Sequence, residues 1–317
     1  YGSRAAGGVV IITTKHGKGE RMTVNVNYSL SAQTVAKRYD MLNAEQWGQA
    51  YWQAAKNSNI TPSHPLYGNG DSPVLQSYVA GNPNYPTTDT DWQDLVYQTG
   101  LTHNLSASIA NSSDKGSVLF SANYINNEGT IKETFYNRYS ARLNSTYNFN
   151  RYLSVGENLL VTHWKNRGAA VAGDRGIPFT AMSQHPALPV RGTDGDWMRP
   201  KELIGSDLAN PVQQLENAKD DDLASWRILG NAFIEVKPVE GLAIKSNIGV
   251  EHSQYFNNTY GRAVNPGDVN SMSSVYGQGD TWTWTNTANY NKTFADKHHL
   301  MLLLGTEAIG YTFRDLS

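Results

Sequence analysis

Residues 138–150, RYSARLNSTYNFN, decide the fold of this chain. Its odd-numbered positions are mostly apolar or aromatic: Tyr139, Ala141, Leu143, Ser145, Tyr147 and Phe149. Its even-numbered positions are polar or charged: Arg138, Ser140, Arg142, Asn144, Thr146, Asn148 and Asn150. Because alternate side chains of a β-strand point to opposite faces, this pattern predicts a strand with one apolar face and one polar face.

The aromatic residues on the apolar face are spaced as a membrane requires. Tyr139 and Phe149 lie ten positions apart, or about 33 Å along a strand at roughly 3.3 Å per residue. A strand tilted by about 40° carries that length across roughly 25 Å, the height of the lipid-facing band of an outer-membrane barrel. An amphipathic strand of a soluble sandwich shows the same alternation, so this segment alone leaves both folds open.

The composition of the chain argues against several classes of protein. It has 317 residues, no cysteine, a formal net charge of -2 and 17% charged residues. The lack of cysteine removes disulfides and thiolate metal sites, and the near-neutral charge without a basic block argues against a nucleic-acid binder. No run approaches the roughly 18 apolar residues of a membrane-spanning helix. A mean hydropathy of -0.51 is still compatible with a barrel, in which only alternate residues meet lipid.

Alternating segments recur along the chain and are joined in a regular way. We place them at about residues 22–34, 102–111, 116–126, 137–149, 152–165, 223–237, 241–256, 280–293 and 299–313. The links alternate between short turns (111–115, 150–151, 238–240 and 294–298) and long excursions (35–101, 127–136, 166–222 and 257–279). Short periplasmic turns at one end and long extracellular loops at the other are the layout of an outer-membrane barrel, and this segregation favours the barrel over the sandwich.

The number of segments predicts that the sheet is part of a larger barrel. Nine antiparallel strands leave the first and the last running in the same direction, so these two cannot pair antiparallel, whereas bacterial single-chain barrels have even strand numbers. Open edges in lipid would leave unpaired backbone groups at a cost of several kcal/mol each. Tyr1 without an initiator Met, and Ser317 just beyond a strand pattern, accordingly look like cuts through a longer protein.

The opening residues 1–18, YGSRAAGGVVIITTKHGK, resemble the end of the plug domain in the SusC-like branch of TonB-dependent outer-membrane transporters. Gly7 stands where that family usually has Asn. The similarity continues through residues 40–47, 91–94, 103–106, 127–129, 138–140, 210–212 and 229–231, so it spans nearly the whole chain. The residues that carry the plug motif are Tyr1, Gly2, Ser3, Arg4, Gly7 and Gly8. Their glycines permit positive φ and close backbone approach, and Arg4 either pairs with a carboxylate of the barrel wall or is an exposed turn residue.

This resemblance implies an all-β fold, an antiparallel transmembrane β-barrel of about 22 strands around an internal plug. Residues 1–20 would be the C-terminal end of the plug domain. Residues 21–317 would be the N-terminal part of the barrel, about nine strands with long extracellular loops that carry short helices. The resemblance also implies a place in the cell outer membrane, in contact with membrane lipids.

The same resemblance implies a function. That function is TonB-dependent active import of oligosaccharides or peptides, together with a SusD-like surface lipoprotein and the TonB–ExbB–ExbD energising complex. A passive porin or structural outer-membrane barrel is the alternative, and it would need no plug. A secreted soluble β-protein, such as a glycan-binding module, is a third hypothesis.

The first long loop, 35–101, contains the candidate binding residues. Asn43, with Gln46 at the capping-box spacing, predicts a helix over residues 43–56. The aromatic residues that we select as substrate contacts are Tyr67, Tyr78, Tyr85 and Trp92, because such rings stack on sugars and on apolar peptide side chains. The alternative for each of them is that it packs the loop itself.

The sequence contains no pattern that indicates a catalytic or metal centre. Asp89, Asp91 and Asp94 cluster, as do residues 220–222, but their spacing matches no EF-hand, and we interpret them as solvated loop acids. The sequence shows no His-Glu-x-x-His motif, Walker loop or nucleophile elbow. We therefore predict a protein that is not an enzyme and has neither a metal nor another cofactor.

Overall fold

A computed structural model describes residues 21–168, 176–263, 269–295 and 297–316. Its nine strands are β1 (Thr23–Gln33), β2 (Gly100–Ser113), β3 (Gly116–Glu128), β4 (Phe135–Asn148), β5 (Leu153–Arg167), β6 (Asp222–Val236), β7 (Leu242–Gly261), β8 (Ser271–Phe294) and β9 (His298–Leu316). They form one antiparallel sheet whose spatial order is the order of the chain. The predicted fold class, part of an antiparallel transmembrane β-barrel, is confirmed. Among the described residues no helix is long and apolar enough to cross a membrane.

All nine predicted barrel segments correspond to strands, although β7, β8 and β9 extend further than predicted. The ladder between β7 and β8 continues to the pair Gly261 and Ser271. In this extension serine and asparagine replace the alternating hydrophobic residues. Backbone pairing therefore continues beyond the segment in which the sequence pattern predicts a strand. The predicted plug segment, residues 1–20, lies outside the described residues, and the roles of its motif residues stay predictions.

Strand register places the apolar residues on one face, which we call the outer face. Cross-strand pairs align Phe120, Leu143 and Leu159 there. Tyr139 and Phe149, the predicted aromatic ends of the lipid band, are 53% and 59% exposed. Asn144, on the opposite or inner face, is only 2% exposed. The predicted division into an apolar and a polar face is confirmed for residues 138–148, whereas Phe149 and Asn150 lie beyond the end of β4, in the short turn to β5.

The outer face also carries a polar pair, Ser145 and Glu157, directly opposite each other on β4 and β5. The Ser145 hydroxyl donates to Glu157 Oε1 at 2.5 Å. The pair lies one outer-face position from Tyr147, towards the short turn between the two strands. Close to the membrane boundary a carboxyl group on the lipid face costs far less than at the midplane.

Connection lengths are segregated between the two ends of the sheet. Residues 114–115, 149–152, 237–241 and 295–297 join the strands at one end, and residues 34–99, 129–134, 168–221 and 262–270 join them at the other. The β3–β4 connection is shorter than predicted because the ladder runs on to the pair Glu128 and Phe135. It nevertheless packs with the long loops, since Ile131 forms a β-bridge with Tyr97.

The long loops contain the buried hydrophobic core of the described chain. In their described residues lie five α-helices, α1 (Ala44–Asn57), α2 (Trp92–Val96), α3 (Ile177–Ser183), α4 (Pro200–Ile204) and α5 (Pro211–Asn217), and two short 3-10 helices, Val79–Gly81 and Ala218–Asp220. The core residues are Ala44, Trp52, Leu66, Tyr67, Val79, Trp92, Val96, Ile131, Ile177, Ala181, Ala187, Leu188, Met198 and Leu215. None of these belongs to a strand. We call residues 34–99, 129–134 and 176–221 together the loop domain.

The predicted helix in the first long loop is α1, and its predicted capping box is present. The Asn43 side chain accepts from the backbone N–H of Gln46 at 2.8 Å, and the Gln46 side chain accepts from the backbone N–H of Asn43 at 3.1 Å. Two otherwise unsatisfied backbone donors at the start of the helix are thereby paired. Local sequence chemistry therefore determines where this helix begins.

Candidate functional site

Two His-Pro sequences join the two long loops at the centre of the loop domain. His64 and His185 are each followed by proline. The Nδ1 atom of each histidine accepts the backbone N–H two residues further on, at 3.2 Å from Leu66 and 3.0 Å from Ala187. The two imidazole rings stack with centroids 5.6 Å apart, and Trp47 of α1 lies 4.1 Å from the His185 ring. We call His64, His185 and Trp47 the His-Pro cluster.

Burial keeps both imidazoles of the His-Pro cluster neutral. Loss of solvent, with the nearby His64 adding to it, lowers the pKa of His185 to about 3. Burial also lowers the pKa of His64. Because each Nδ1 accepts a hydrogen bond, the proton of the neutral ring lies on Nε2. Among the described residues the buried Nε2 of His185 has no hydrogen-bond partner.

Two of the four predicted substrate contacts, Tyr67 and Trp92, are core residues of the loop domain. Tyr67 is 2% exposed and its hydroxyl donates to the carbonyl oxygen of Ala44 at 2.5 Å. Burial, with a contribution from Asp89, raises the pKa of Tyr67 to about 12. Trp92 is 3% exposed and its indole N–H donates to the carbonyl oxygen of His185 at 3.1 Å. In this conformation both side chains pack the loops.

The other two predicted contacts, Tyr78 and Tyr85, lie at the surface of the loop domain. Tyr78 is 43% exposed, whereas Tyr85 is half-buried and its hydroxyl lies 3.5 Å from the carbonyl oxygen of Trp197. The backbone N–H of Val79 donates to the carbonyl oxygen of Tyr85 at 2.8 Å, so the two tyrosines belong to one turn. Ligand contact at all four aromatic positions stays a prediction.

The acidic residues of the first long loop make structural contacts. Asp89 accepts from the backbone N–H of Ala44 at 2.8 Å. Asp91 caps α2 by accepting from two backbone N–H groups, and Asp94 pairs with Arg38 at 3.1 Å. In the second cluster, Asp222 pairs with Lys165 at 2.9 Å. Over the described ranges no group of three or more histidine, cysteine or acidic side chains is placed to hold a metal ion.

The inner face of the sheet carries a cavity of about 420 Å³ between β4 and β8. Asn158 donates to Asn231 at 3.2 Å, and Asn231 donates to Asn247 at 2.7 Å, so amides form a row across this wall. Arg142 and Glu251 line the same cavity from different strands. The inner wall at this cavity therefore presents neutral amides together with charges of both signs.

Another cavity, of about 620 Å³, is formed by residues of the first long loop beside Tyr78. His64 forms part of its lining, so the cavity adjoins the His-Pro cluster. Its position could not be predicted from the sequence, because its residues come from separate turns with no common motif. Of the residues that line it, Tyr78 is the one predicted from the sequence as a substrate contact, because of its aromatic ring.

Comparisons with known proteins agree in both sequence and fold. The chain is 27% identical to TonB-dependent receptor P3 of Formosa agariphila over 96% of its own length and 28% of the relative's. It is 27% identical to TonB-dependent receptor SusC of Bacteroides thetaiotaomicron over 92% of its own length and 28% of the relative's. No family model matches the chain. The chain therefore spans less than a third of these curated relatives.

Solved structures give the same result for the fold. The chain superposes on the RagAB peptide importer in its closed-closed state with a TM-score of 0.75 and 25% identity, over 98% of this chain and 37% of that one. In the open-open state the TM-score is 0.76, again at 25% identity. With the segregated loops and the apolar outer face, this chain is similar over nearly its whole length to part of the SusC-like TonB-dependent receptors.

Proposed function

We propose that this chain serves TonB-dependent active import across the bacterial outer membrane, together with a SusD-like surface lipoprotein. The observation that carries the proposal is the similarity of nearly the whole chain to TonB-dependent receptors, among them SusC. The energy would come from the TonB–ExbB–ExbD complex, acting on a plug to which residues 1–20 would contribute. The apolar outer face would contact membrane lipids, and the loop domain would face the outside of the cell.

The proposed cargo is an oligosaccharide or a peptide. RagAB, on which the chain superposes, is a peptide importer, and this similarity supports peptides as one class. The row of Asn158, Asn231 and Asn247 on the inner face supports an uncharged polar cargo of either class, because amides both donate and accept hydrogen bonds. Arg142 and Glu251 contribute one charge of each sign and select neither an anion nor a cation.

Uptake by a deletion strain tests the proposed function. The gene would be deleted in the native bacterium, and growth and uptake measured on a panel of purified glycans and oligopeptides, with a tonB deletion in parallel. We expect both strains to lose uptake of the same substrate and re-expression of the full-length protein to restore it. Unchanged uptake of every substrate in the panel would contradict active import.

Single-channel conductance of the full-length protein separates import from passive diffusion. A plugged transporter should show conductance near zero in a planar bilayer without energy coupling. A stable open channel that needs no TonB would instead identify a porin.

A further inference from the structure

The cavity beside Tyr78 is built on backbone that is held in place. His64 and Gly68 exchange two backbone hydrogen bonds of 2.9 Å across a tight turn. The neighbouring segment pairs with this turn through Val74 N–H to Tyr67 O at 3.1 Å and Gln76 N–H to Leu66 O at 2.9 Å. Because Leu66 and Tyr67 are buried core residues, the floor of the cavity is attached to the core of the loop domain. A ligand would therefore meet a site that is already formed.

The lining of this cavity is polar but carries no formal charge. Its side chains are those of Ser63, His64, Asn69, Gln76, Ser77 and Tyr78, beside Pro65 and two glycines. Burial lowers the pKa of His64, so the ring is neutral near pH 7. With Nδ1 engaged by the Leu66 N–H, the proton of the neutral ring lies on Nε2, which is therefore a donor. The Gln76 amide nitrogen donates to Val74 O at 2.9 Å, which orients its oxygen as an acceptor.

Three other cavities among the described residues differ from it in charge. The inner-face cavity contains Arg142 and Glu251. A cavity between two short turns contains Arg151 and Lys237, and a groove near α2 contains acidic residues of the first long loop. A charged ligand group moved into the cavity beside Tyr78 would lose water without gaining an ionic partner, which is unfavourable. An uncharged ligand with many hydroxyl groups avoids that penalty.

We infer that the cavity formed by Ser63, His64, Asn69, Gln76, Ser77 and Tyr78 is a subsite for a neutral saccharide. The exposed Tyr78 ring would stack on the apolar face of one sugar ring. The amides, hydroxyls and imidazole would pair with its hydroxyl groups. The volume of about 620 Å³ lies within the usual range of small-molecule pockets. As a cargo assignment, the inference rests on the proposed import function, but the binding itself does not.

Binding of defined oligosaccharides to the full-length protein in detergent tests this site. The probes would be neutral hexaoses of glucose, xylose, arabinose and mannose, a uronic-acid hexaose, and a mixture of tetrapeptides, each measured by calorimetry. We expect at least one neutral hexaose to bind. Substitution Tyr78→Ala should then weaken its binding about tenfold, because one aromatic stacking contact is worth roughly that factor. Tyr78→Phe should retain the affinity within about threefold, because the ring remains.

The matched control is Tyr152→Ala, which removes a tyrosine of nearly equal exposure, 44%, at the short-turn end of the sheet. We expect it to leave binding unchanged. The assignment is overturned if no neutral hexaose binds the wild-type protein, or if Tyr78→Ala and Tyr152→Ala bind alike. It is also overturned if the uronic-acid hexaose or the peptides bind in a way that depends on Tyr78 while the neutral hexaoses do not.

The failure of this inference and that of the proposed function are distinguishable. Binding in detergent needs no energised membrane, whereas uptake requires TonB. Tyr78-dependent binding without any TonB-dependent uptake would retain the subsite and refute import. TonB-dependent uptake with hexaose binding that is unaffected by Tyr78→Ala would retain import and refute the subsite.

Discussion

At the scale of single residues, the His-Pro cluster makes the loop domain sensitive to acid. His185 has a folded-state pKa lowered to about 3, so it stays neutral in the folded loops while the unfolded chain binds a proton below about 6.5. Since the unfolded state binds more protons in that window, stability is complete above about pH 6.5 and falls as the pH drops towards 3. A proton on Nδ1 would also abolish the hydrogen bond from Ala187.

We expect the free energy of opening the loop domain to fall by about 2 kcal/mol between pH 6.5 and pH 5, at about 1.4 kcal/mol per pH unit. Hydrogen exchange of the backbone amides around α1 and α3 measures this free energy. His185→Phe retains a ring and removes the titrating group, so its pH dependence should be much flatter. An equally steep dependence in His185→Phe would show that other groups cause the acid sensitivity.

A second residue-scale prediction concerns the outer face. Leu143 lies between the aromatic ends of the lipid band, and Leu143→Arg should reduce the free energy of unfolding by about 2–4 kcal/mol, as a cation near the bilayer midplane does. Thr283→Arg introduces the same charge on the inner face, opposite Gly249, and should be tolerated. Urea unfolding in lipid vesicles measures both. Equal effects would mean that the face of Leu143 is not the lipid face.

At the scale of elements, the pairing of neighbouring strands explains why glycine stands at one strand position, which the intrinsic strand preference of residues does not explain. Gly156 on β5 lies directly opposite Phe233 on β6, and the aromatic ring covers the glycine. A Cβ atom at Gly156 would lie 2.6 Å from the Phe233 ring and 2.7 Å from the Ser145 carbonyl oxygen. Such distances are too short for any side chain, so the contact requires glycine there.

Gly156→Ala should therefore destabilise the sheet by about 1–3 kcal/mol, the usual cost of overpacking. Gly249→Ala is the matched control, because a Cβ at this inner-face glycine of β7 would have no neighbour closer than 3.8 Å. It should leave stability unchanged or raise it slightly, since glycine weakens strands. The mid-point of thermal aggregation in detergent compares the two variants. A neutral Gly156→Ala variant would contradict the close approach of Phe233.

At the scale of the whole molecule, the buried apolar core belongs to the loops and not to the sheet. The sheet has an apolar outer face and a largely polar inner face, and the buried hydrophobic residues of the described ranges all lie in the loops. The two parts should thus be stable independently of each other. Trp92→Ala should destabilise the loop domain by about 3–5 kcal/mol, as for other buried aromatic residues, and leave the sheet intact.

Limited proteolysis of Trp92→Ala with infrared spectroscopy tests that separation. We expect rapid cleavage within residues 34–99 and 176–221 and an unchanged β-sheet signal. A comparable surface substitution, Tyr39→Ala, should leave both properties as in the wild type, since Tyr39 is exposed. Loss of sheet signal together with the loops would show that the two parts unfold as one unit.

The sequence predicts this sheet well because its information is local and repeats every second residue. Alternation in residues 138–150 predicts both the strand and its faces, and the Asn43–Gln46 spacing predicts the start of α1. The loop domain could not be foreseen in the same way. The contacts of Trp92 and Tyr67 with residues 93 and 23 positions away in the chain follow no period, and an aromatic side chain in a loop looks alike in the sequence whether it is buried or exposed.

His64 belongs to two features of the loop domain. It lines the proposed saccharide cavity, and it stacks on His185 of the other long loop. A saccharide that binds more tightly to the neutral His64 ring must lower the pKa of that ring. By thermodynamic reciprocity, protonation of His64 must then lower the affinity for the saccharide. Saccharide binding at this cavity would then weaken in acidic surroundings and recover on neutralisation, through the protonation of one imidazole.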